Sequence, residues 1–575
     1  MTDDQSKHVQ FSPLNGQVKV ILPDGRALEG PRGASVGDFL ALLNDEYTQR
    51  PITGAIVNRE LRELTYPFEI ESHVAPVTMD SSDGMRIYRR SLTFLLEAAF
   101  HLVYSGEHLT IDHSVFSGGY FCQVEDRPEI TDEELAPVEA KMRELVERDL
   151  PLKRTQRPLG EAIALFEKWH YTDKVRLLKH RKKDYLVLYE LDDYLDYHHG
   201  YMLPSTGGLK WFKLEAVEGG FTLNFPSHAE PTKLRPAQAE PKLLAAFREY
   251  GRLLRLLDIH TVGALNDAIV GGRVREIILV SEALHEQRTA DVATQIARGE
   301  KQARVVLVAG PSSSGKTTFS KRLSVQLLAF GLTPFALEMD RYFVDREKTP
   351  KDQHGEFDYE HLDAVNRERL NRDLKALIAG EKVRLAHYNF LTGKSEEGEE
   401  VQLRPDQVVI IEGIHGLNPD LLPEIPDTDT FRIYLSALTQ LNLDSHNRVS
   451  TTDTRLVRRI VRDARDRGYS PQETIQRWAS VRRGERNYIF PHQGNADVVF
   501  NSALVYELAA LKPLAEPLLR QVPFGTPEHI EVKRLLALLE WFLPLDTAYI
   551  PDNSLLREFI GGSILSDFTV WRNGH

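Results

Sequence analysis

The stretch Val305-Val-Leu-Val-Ala-Gly-Pro-Ser-Ser-Ser-Gly-Lys-Thr-Thr318 decides the fold of the C-terminal half of the chain. It opens on an apolar run suited to a buried strand, and the amphipathic residues Phe319 to Phe330 beyond it suit a helix. Between them stands GxxxxGKT, with Gly310, Gly315, Lys316 and Thr317 in place. Glycines let backbone N–H groups turn inward around phosphate oxygens, and the helix aims its positive end at the same point. A lysine at this position reaches the β- and γ-phosphates, and the following threonine hydroxyl ligates Mg²⁺. The expectation is a site for ATP (or GTP) with Mg²⁺, built from Gly310, Ser312, Ser313, Ser314, Gly315, Lys316, Thr317 and Thr318. The bland alternative is an ordinary Gly/Ser turn between strand and helix.

Composition bounds the rest. A chain of 575 residues exceeds one core and implies several domains. No apolar run approaches a membrane span, and the start Met-Thr-Asp-Asp-Gln-Ser-Lys lacks the form of a secretory signal, so a cytoplasmic protein is expected. The single cysteine, Cys122, excludes an intramolecular disulfide and a Cys-rich zinc site, and its apolar surroundings suit a buried thiol. A net charge of −13 argues against general nucleic-acid binding while leaving room for local basic surfaces.

Three further patterns concern phosphate chemistry. Pro334-Phe-Ala-Leu-Glu-Met339 reads as a second strand ending on Asp340. At the carboxyl end of a strand in a doubly wound sheet, that carboxylate faces the γ-phosphate, where it can accept a hydroxyl proton or hold Mg²⁺ through water. As a bare turn former, Asp340 would do neither. Val408-Val-Ile-Ile411 leads into Glu412 by the same strand-end logic, which suits a second carboxylate beside Mg²⁺. In Asp453 to Gly468, Arg455, Arg458, Arg459 and Arg462 share one helical stripe opposite Leu456, Val457, Ile460 and Val461. With no acid on that stripe, four guanidinium groups suit a lid over transferring phosphates; a solvated basic face is the alternative.

Taken in order, the loop, Met339-Asp-Arg-Tyr-Phe343, Glu356-Phe-Asp-Tyr359, Tyr388-Asn-Phe390, Ile411-Glu-Gly-Ile414 and Asp453 to Ile460 resemble the uridine kinase and phosphoribulokinase branch of P-loop kinases. The resemblance implies a parallel-sheet α/β kinase over residues 301–503. It implies that Asp340 is the base for the acceptor hydroxyl, that Asp358 holds ribose hydroxyls, and that Phe357, Tyr388 and Phe390 wall a nucleobase. Phe343 and Arg455 complete the substrate set, while Lys316, Glu412, Arg455, Arg458 and Arg459 act with Asp340 in catalysis and Thr317 and Glu412 serve the metal. The chain departs from the family at Asn389, where uridine kinases carry Asp, and at Leu391 to Lys394, which lack the following His. Phosphoryl transfer is therefore better supported than uridine as acceptor.

The N-terminal half resembles threonyl-tRNA synthetases. Val18 to Leu22, Asp24-Gly25 and Gly33 to Leu43 read as a hairpin then a helix, like the β-grasp TGS domain, here 17–80 after a tail at 1–16. Asp83 to Ser91, Ser117 to Phe121, Asp132 to Arg148 and Leu203 to Lys213 resemble the synthetase's α+β editing domain, here 81–235. Editing domains of that kind use HxxxH with a later Cys and His; the matching positions here are Arg90, Phe94, His198 and Met202. Only His198 can ligate a metal, no paired carboxylates are evident, and the expectation is a retained fold without zinc or deacylase chemistry.

Gly219 to Pro236 is proline-rich and closes that domain; 236–300 reads as a helical connector and 504–575 as a helical C-terminal extension. Lys174 to Lys183 carries six basic residues, read as an RNA-facing patch or a solvated surface. Two functional classes follow. One is a kinase for a small-molecule acceptor, a nucleoside first and a sugar or polyol second. The other is an RNA-linked nucleotide-dependent regulator whose N-terminal domains contact tRNA. No membrane partner is expected, and the oligomeric state is open, a homo-oligomer included.

Overall fold

The computed structural model describes residues 16–115, 118–127, 129–235, 241–351, 355 and 357–568. The tail through residue 15, Ser117, Pro236, Glu356 and the end of the C-terminal extension from 569 lie outside the described residues. The chain forms two compact units, one of residues 1–162, 183–238 and 524–530, the other of 163–182, 239–523 and 531–575. Residues 163–182 of the editing-like segment thus group with the second unit.

The first unit opens with a five-stranded sheet in which Gln17–Ile21 pairs antiparallel with Ala27–Pro31 and parallel with Ser72–Thr78. The helix Val36–Leu40 follows the hairpin, and Ser35 and Asp38 cap its start reciprocally. Val18, Val20, Phe39 and Phe68 are buried in the core beneath it. Beyond this sheet come the helices Ser82–Val103 and Asp132–Glu147, a four-stranded antiparallel sheet and a three-stranded one. Cys122 is a buried thiol on Gly119–Val124.

The second unit is organised by a five-stranded parallel sheet. We label its strands β1 (Val305–Ala309), β2 (Thr333–Glu338), β3 (Gln407–Glu412), β4 (Thr430–Ser436) and β5 (Val498–Asn501). The order β2-β3-β1-β4-β5 places the loop strand at the centre. Such a strand is covered on both faces and reads as an unbroken apolar run, and β1 is buried at every position. The helix α1 (Lys316–Ala329) follows the loop directly, and α2 (Thr451–Arg462) carries the arginines. α2 passes into a π-helical turn, Asp463–Arg467, that ends on Gly468 in the left-handed region. Helices also cover Pro241–Leu256, Val262–Val270 and Val274–Arg298 and, toward the C-terminus, Glu507–Leu519 and Pro527–Leu539.

Candidate active site

The glycines of the loop have separate reasons. A Cβ at Gly310 would collide with the Leu435 carbonyl of β4, and Gly315 sits at φ +94° as the N-cap of α1. Ser313 is also left-handed, at φ +58°, which curls the loop back on itself. The Ser313 and Ser314 hydroxyls are buried without a hydrogen-bond partner, so the loop offers polar atoms suited to phosphate oxygens. Lys316 Nζ donates to the carbonyls of Gly310 and Pro311 at 3.0 and 3.1 Å.

Because β1, β2 and β3 run parallel, their carboxyl ends converge on this loop. Thr317 Oγ1 donates to Glu412 Oε1 at 2.9 Å, joining α1 to the end of β3. Asp340 lies in the turn Met339–Tyr342 just after β2. Its side chain is exposed to solvent, yet the protein packed around it partly desolvates the carboxylate and raises its pKa, with help from Glu338 and against the pull of Lys316. Burial also pushes Glu412 up to about 7; Lys316 opposes this and Glu558 adds to it. Lys316 itself is lowered by burial, with Glu412, Glu558 and Glu485 acting the other way. An ammonium and two carboxylates of raised pKa thus influence one another beside the loop, as groups gathered at a functional site do.

The arginine stripe departs from the expected open lid. Arg455 and Arg458 are 1% and 0% exposed, and each faces an acid from a distant part of the sequence. Arg455 pairs with Glu485, at 2.9 Å for Nη2, and donates to the Ser312 carbonyl at 3.0 Å. Arg458 Nε donates to Glu507 Oε2 at 2.6 Å, and its Nη1 reaches the carbonyls of Ser313 and Ser314 at 3.4 Å. Arg459 Nη1 donates to Ser312 Oγ at 2.9 Å, while Arg462 pairs with Asp463 at 2.7 Å. The stripe is therefore balanced by Glu485, Glu507 and Asp463, and it braces the loop's backbone. Burial alone would raise the Glu485 pKa, but Arg455 and Arg482 more than offset it and hold it low. Neither Glu485 nor Glu507 stands at a fixed spacing from a motif, so nothing in the sequence marked them.

Of the residues expected to hold an acceptor, Phe343, Tyr388 and Phe390 come together, with ring centroids 5.1 to 6.5 Å apart. Tyr359 links this group to Phe357. Tyr388 is buried, whereas Phe357 and Phe390 are 38% and 61% exposed and present ring surface to solvent. Asn389 is spent on the hairpin turn, its Oδ1 accepting from the amides of Leu391 and Thr392 at 3.1 and 3.2 Å. Asp358 Oδ2 accepts from the Tyr488 hydroxyl at 2.9 Å. Near it burial pushes Glu360 up to about 7, with Glu485 and Asp358 adding to the shift. Burial likewise pushes His415 down to about 4, aided by His361 and His492. Tyr488, Glu360 and His415 went unmarked in the sequence, although His415 stands only three residues beyond Glu412.

Two expectations for the N-terminal half need correction. Paired carboxylates do accompany His198: Glu97, Asp196 and His198 bring one donor atom each within 4.8 Å of one another, and His198 Nε2 lies 3.0 Å from Glu97 Oε2. Glu97 is one helical turn beyond Phe94, and only folding brings it to His198. The other three positions are occupied by packing groups, since Phe94 lies edge-on to the His198 ring, Met202 is buried and Arg90 donates to the Tyr201 carbonyl. The basic run is not a free patch either. Lys174 is fully buried on Asp444 at 3.0 Å, Arg176 pairs with Asp267, and Arg181 stacks on Trp541, leaving Lys179, Lys182 and Lys183 exposed.

A parallel sheet with a glycine loop after its central strand and carboxylates at the ends of the neighbouring strands is the arrangement of a P-loop α/β fold, here in the second unit. Residues 305–509 match the sequence model of the Phosphoribulokinase / Uridine kinase family. The N-terminal region is homologous to threonine–tRNA ligases. That of Citrifermentans bemidjiense is 32% identical over 205 residues, which are 36% of this chain and 32% of the ligase; that of Thermotoga petrophila is 30% identical over 207 residues, 36% and 31%. The chain thus spans about a third of the length of the curated relatives it matches. Among solved structures, one described as a possible uridine kinase from Bacillus stearothermophilus is 22% identical with a TM-score of 0.26, covering 37% of this chain and 98% of that one. A D-glycerate 3-kinase from Cryptococcus neoformans is 17% identical with a TM-score of 0.20, covering 46% and 89%. No helix among the described residues is long and apolar enough to cross a membrane.

Proposed function

We propose that this protein transfers the γ-phosphoryl group of ATP to a hydroxyl of a small molecule, with a nucleoside such as uridine or cytidine as the leading acceptor. The observation that carries this reading is the convergence of Lys316, Asp340 and the Thr317–Glu412 pair at the carboxyl ends of β1, β2 and β3. Lys316, freed from the loop carbonyls, neutralises the β- and γ-phosphates. Asp340 accepts the proton of the attacking hydroxyl, and its raised pKa makes it a better base than an ordinary aspartate. Thr317 and Glu412 would hold Mg²⁺, which supplies charge neutralisation on the transferring group. Asp358, oriented by Tyr488, takes acceptor hydroxyls, and the exposed faces of Phe357 and Phe390 flank a planar base. Within this reading a sugar or polyol is the second candidate acceptor. ADP release from Mg·ATP, screened across nucleosides, sugars and polyols, tests it. Turnover with a polyol alone would move the acceptor, and no acceptor-dependent ADP release with any alcohol would defeat the kinase reading.

The homology of the N-terminal region to threonine–tRNA ligases favours a second reading, an RNA-linked protein in which the kinase unit works as a nucleotide switch. Retention of Asp340 at the acceptor side supports the first, since a switch has no use for an acceptor-side base. Saturable tRNA binding that changes with nucleotide, without acceptor turnover, would select the second.

A further inference from the structure

The C-terminal segment 551–562 folds onto the phosphate loop of its own unit. Leu555, Leu556 and Phe559 are buried, and Leu555 lies so close to Gly315 that any side chain there would strike it. Arg465 holds the segment's backbone, donating to the carbonyls of Phe559 and Glu558 at 2.7 and 3.0 Å. The Phe559 ring lies 4.9 Å from the guanidinium of Arg458, the same side chain that braces the loop. Ser554 Oγ donates to Glu282 Oε1 at 2.5 Å and anchors the segment at its other end.

These contacts place the half-buried Glu558 side chain at the first turn of α1, where the Thr318 amide donates to Glu558 Oε2 at 3.1 Å. Thr318 is the third residue of α1, so its N–H is one of the amides that a helix leaves without an internal partner. Those amides are what a P-loop offers to phosphate oxygens. Lys316 is turned away at the same time, its ammonium on the carbonyls of Gly310 and Pro311. The loop therefore has a donor taken by a carboxylate and its cation folded onto its own backbone.

We propose that Glu558 is a built-in competitor for the nucleotide: its carboxylate takes the Thr318 amide in place of a phosphate oxygen, and Mg·ATP binds only as that side chain swings out. The proposal rests on the reading of Gly310 to Thr318 as a nucleotide loop. Lifting the whole segment would expose three buried apolar side chains, whereas rotating Glu558 breaks one charge-assisted hydrogen bond. The swing is the cheaper motion, and Leu555, Leu556 and Phe559 stay seated. The device sets the nucleotide concentration at which the unit fills.

Calorimetric titration of Mg·ATP into the full chain tests this with wild type, Glu558→Ala, Glu558→Gln and Lys316→Ala. The expected result is binding at least about tenfold tighter in Glu558→Ala, an intermediate gain in Glu558→Gln, whose amide oxygen still accepts but carries no charge, and weaker binding in Lys316→Ala. Equal or weaker binding in both Glu558 variants, with wild type binding normally, overturns the competition while leaving the nucleotide loop intact. Should Glu558→Ala not fold, the isosteric Gln variant decides alone: tighter binding than wild type supports the proposal and unchanged binding defeats it. No saturable binding in any of the four proteins would instead bring down the nucleotide reading, and the competition with it.

Discussion

Replacing Asp340 by Asn keeps its shape and removes its ability to accept a proton. Turnover is expected to fall by roughly 10²-fold or more while Mg·ATP binding persists, because general-base assistance is of that size. Lost ATP affinity with surviving turnover of bound substrate would make Asp340 a metal-side residue. Glu412 allows a test that needs no substrate. Its folded pKa, about 7, lies above the ordinary 4.5, so the site prefers the protonated carboxyl. The associated stability is fully present below pH 4.5 and is lost as the pH rises through about 7. Glu412→Gln stays neutral throughout, so its urea midpoint relative to wild type should improve between about pH 5 and about pH 8. A difference that is flat with pH would show that Glu412 is an ordinary solvated carboxylate.

At the scale of elements, α2 is tied to the loop by Arg455 and Arg458, which bond its carbonyls and are themselves held by buried ion pairs to Glu485 and Glu507. Glu507→Ala strands the Arg458 guanidinium, and removing one partner of a buried pair costs about 3–5 kcal/mol. The unfolding midpoint of the second unit should drop accordingly, and a change within error would mean that water or another acid takes over. The proposed acceptor side would be assembled from the end of β2, the segment before Glu360 and the hairpin of Lys382–Asn389 and Lys394–Gln402. Asp358→Ala should raise the acceptor KM strongly and leave the ATP KM nearly unchanged, with Tyr488→Phe moving the same constant less, because the Tyr488 hydroxyl orients Asp358 and the substitution leaves the carboxylate in place. Equal effects on both substrates would place the pocket elsewhere.

For the molecule as a whole, the question is whether the N-terminal unit has chemistry of its own. Glu97, Asp196 and His198 are close enough to hold a metal, yet Glu97 Oε2, His198 Nε2 and Asp196 Oδ1 are already engaged. His198 faces Glu97, and Asp196 accepts from the Tyr197 amide at 2.7 Å. With Arg90, Phe94 and Met202 at the other expected positions, purified protein should carry far less than one equivalent of zinc and should not deacylate seryl-tRNA above background. Zinc near one equivalent that disappears in His198→Ala, or measurable deacylation, would make this unit an enzyme in its own right.

What the sequence determined by itself is local. β1, the glycine loop and the start of α1 are contiguous, and short-range sterics and the apolar pattern specify them without reference to the rest of the chain. The same holds for Asp340 and Glu412, each legible as an acid at the end of an apolar strand. The tertiary structure alone decided what stands opposite these residues. Arg455 and Arg458 read as a free basic stripe because Glu485 and Glu507 lie 30 and 49 positions away on other elements. Glu97 and His198 are separated by 101 positions, Lys174 and Asp444 by 270, and the Thr318 amide and Glu558 by 240. Hydrogen bonds and ion pairs act over a few ångströms of space, whereas sequence patterns report only neighbours along the chain. The loop could therefore be read directly, while the acids that brace it and the carboxylate that occupies it emerged only from the folded chain.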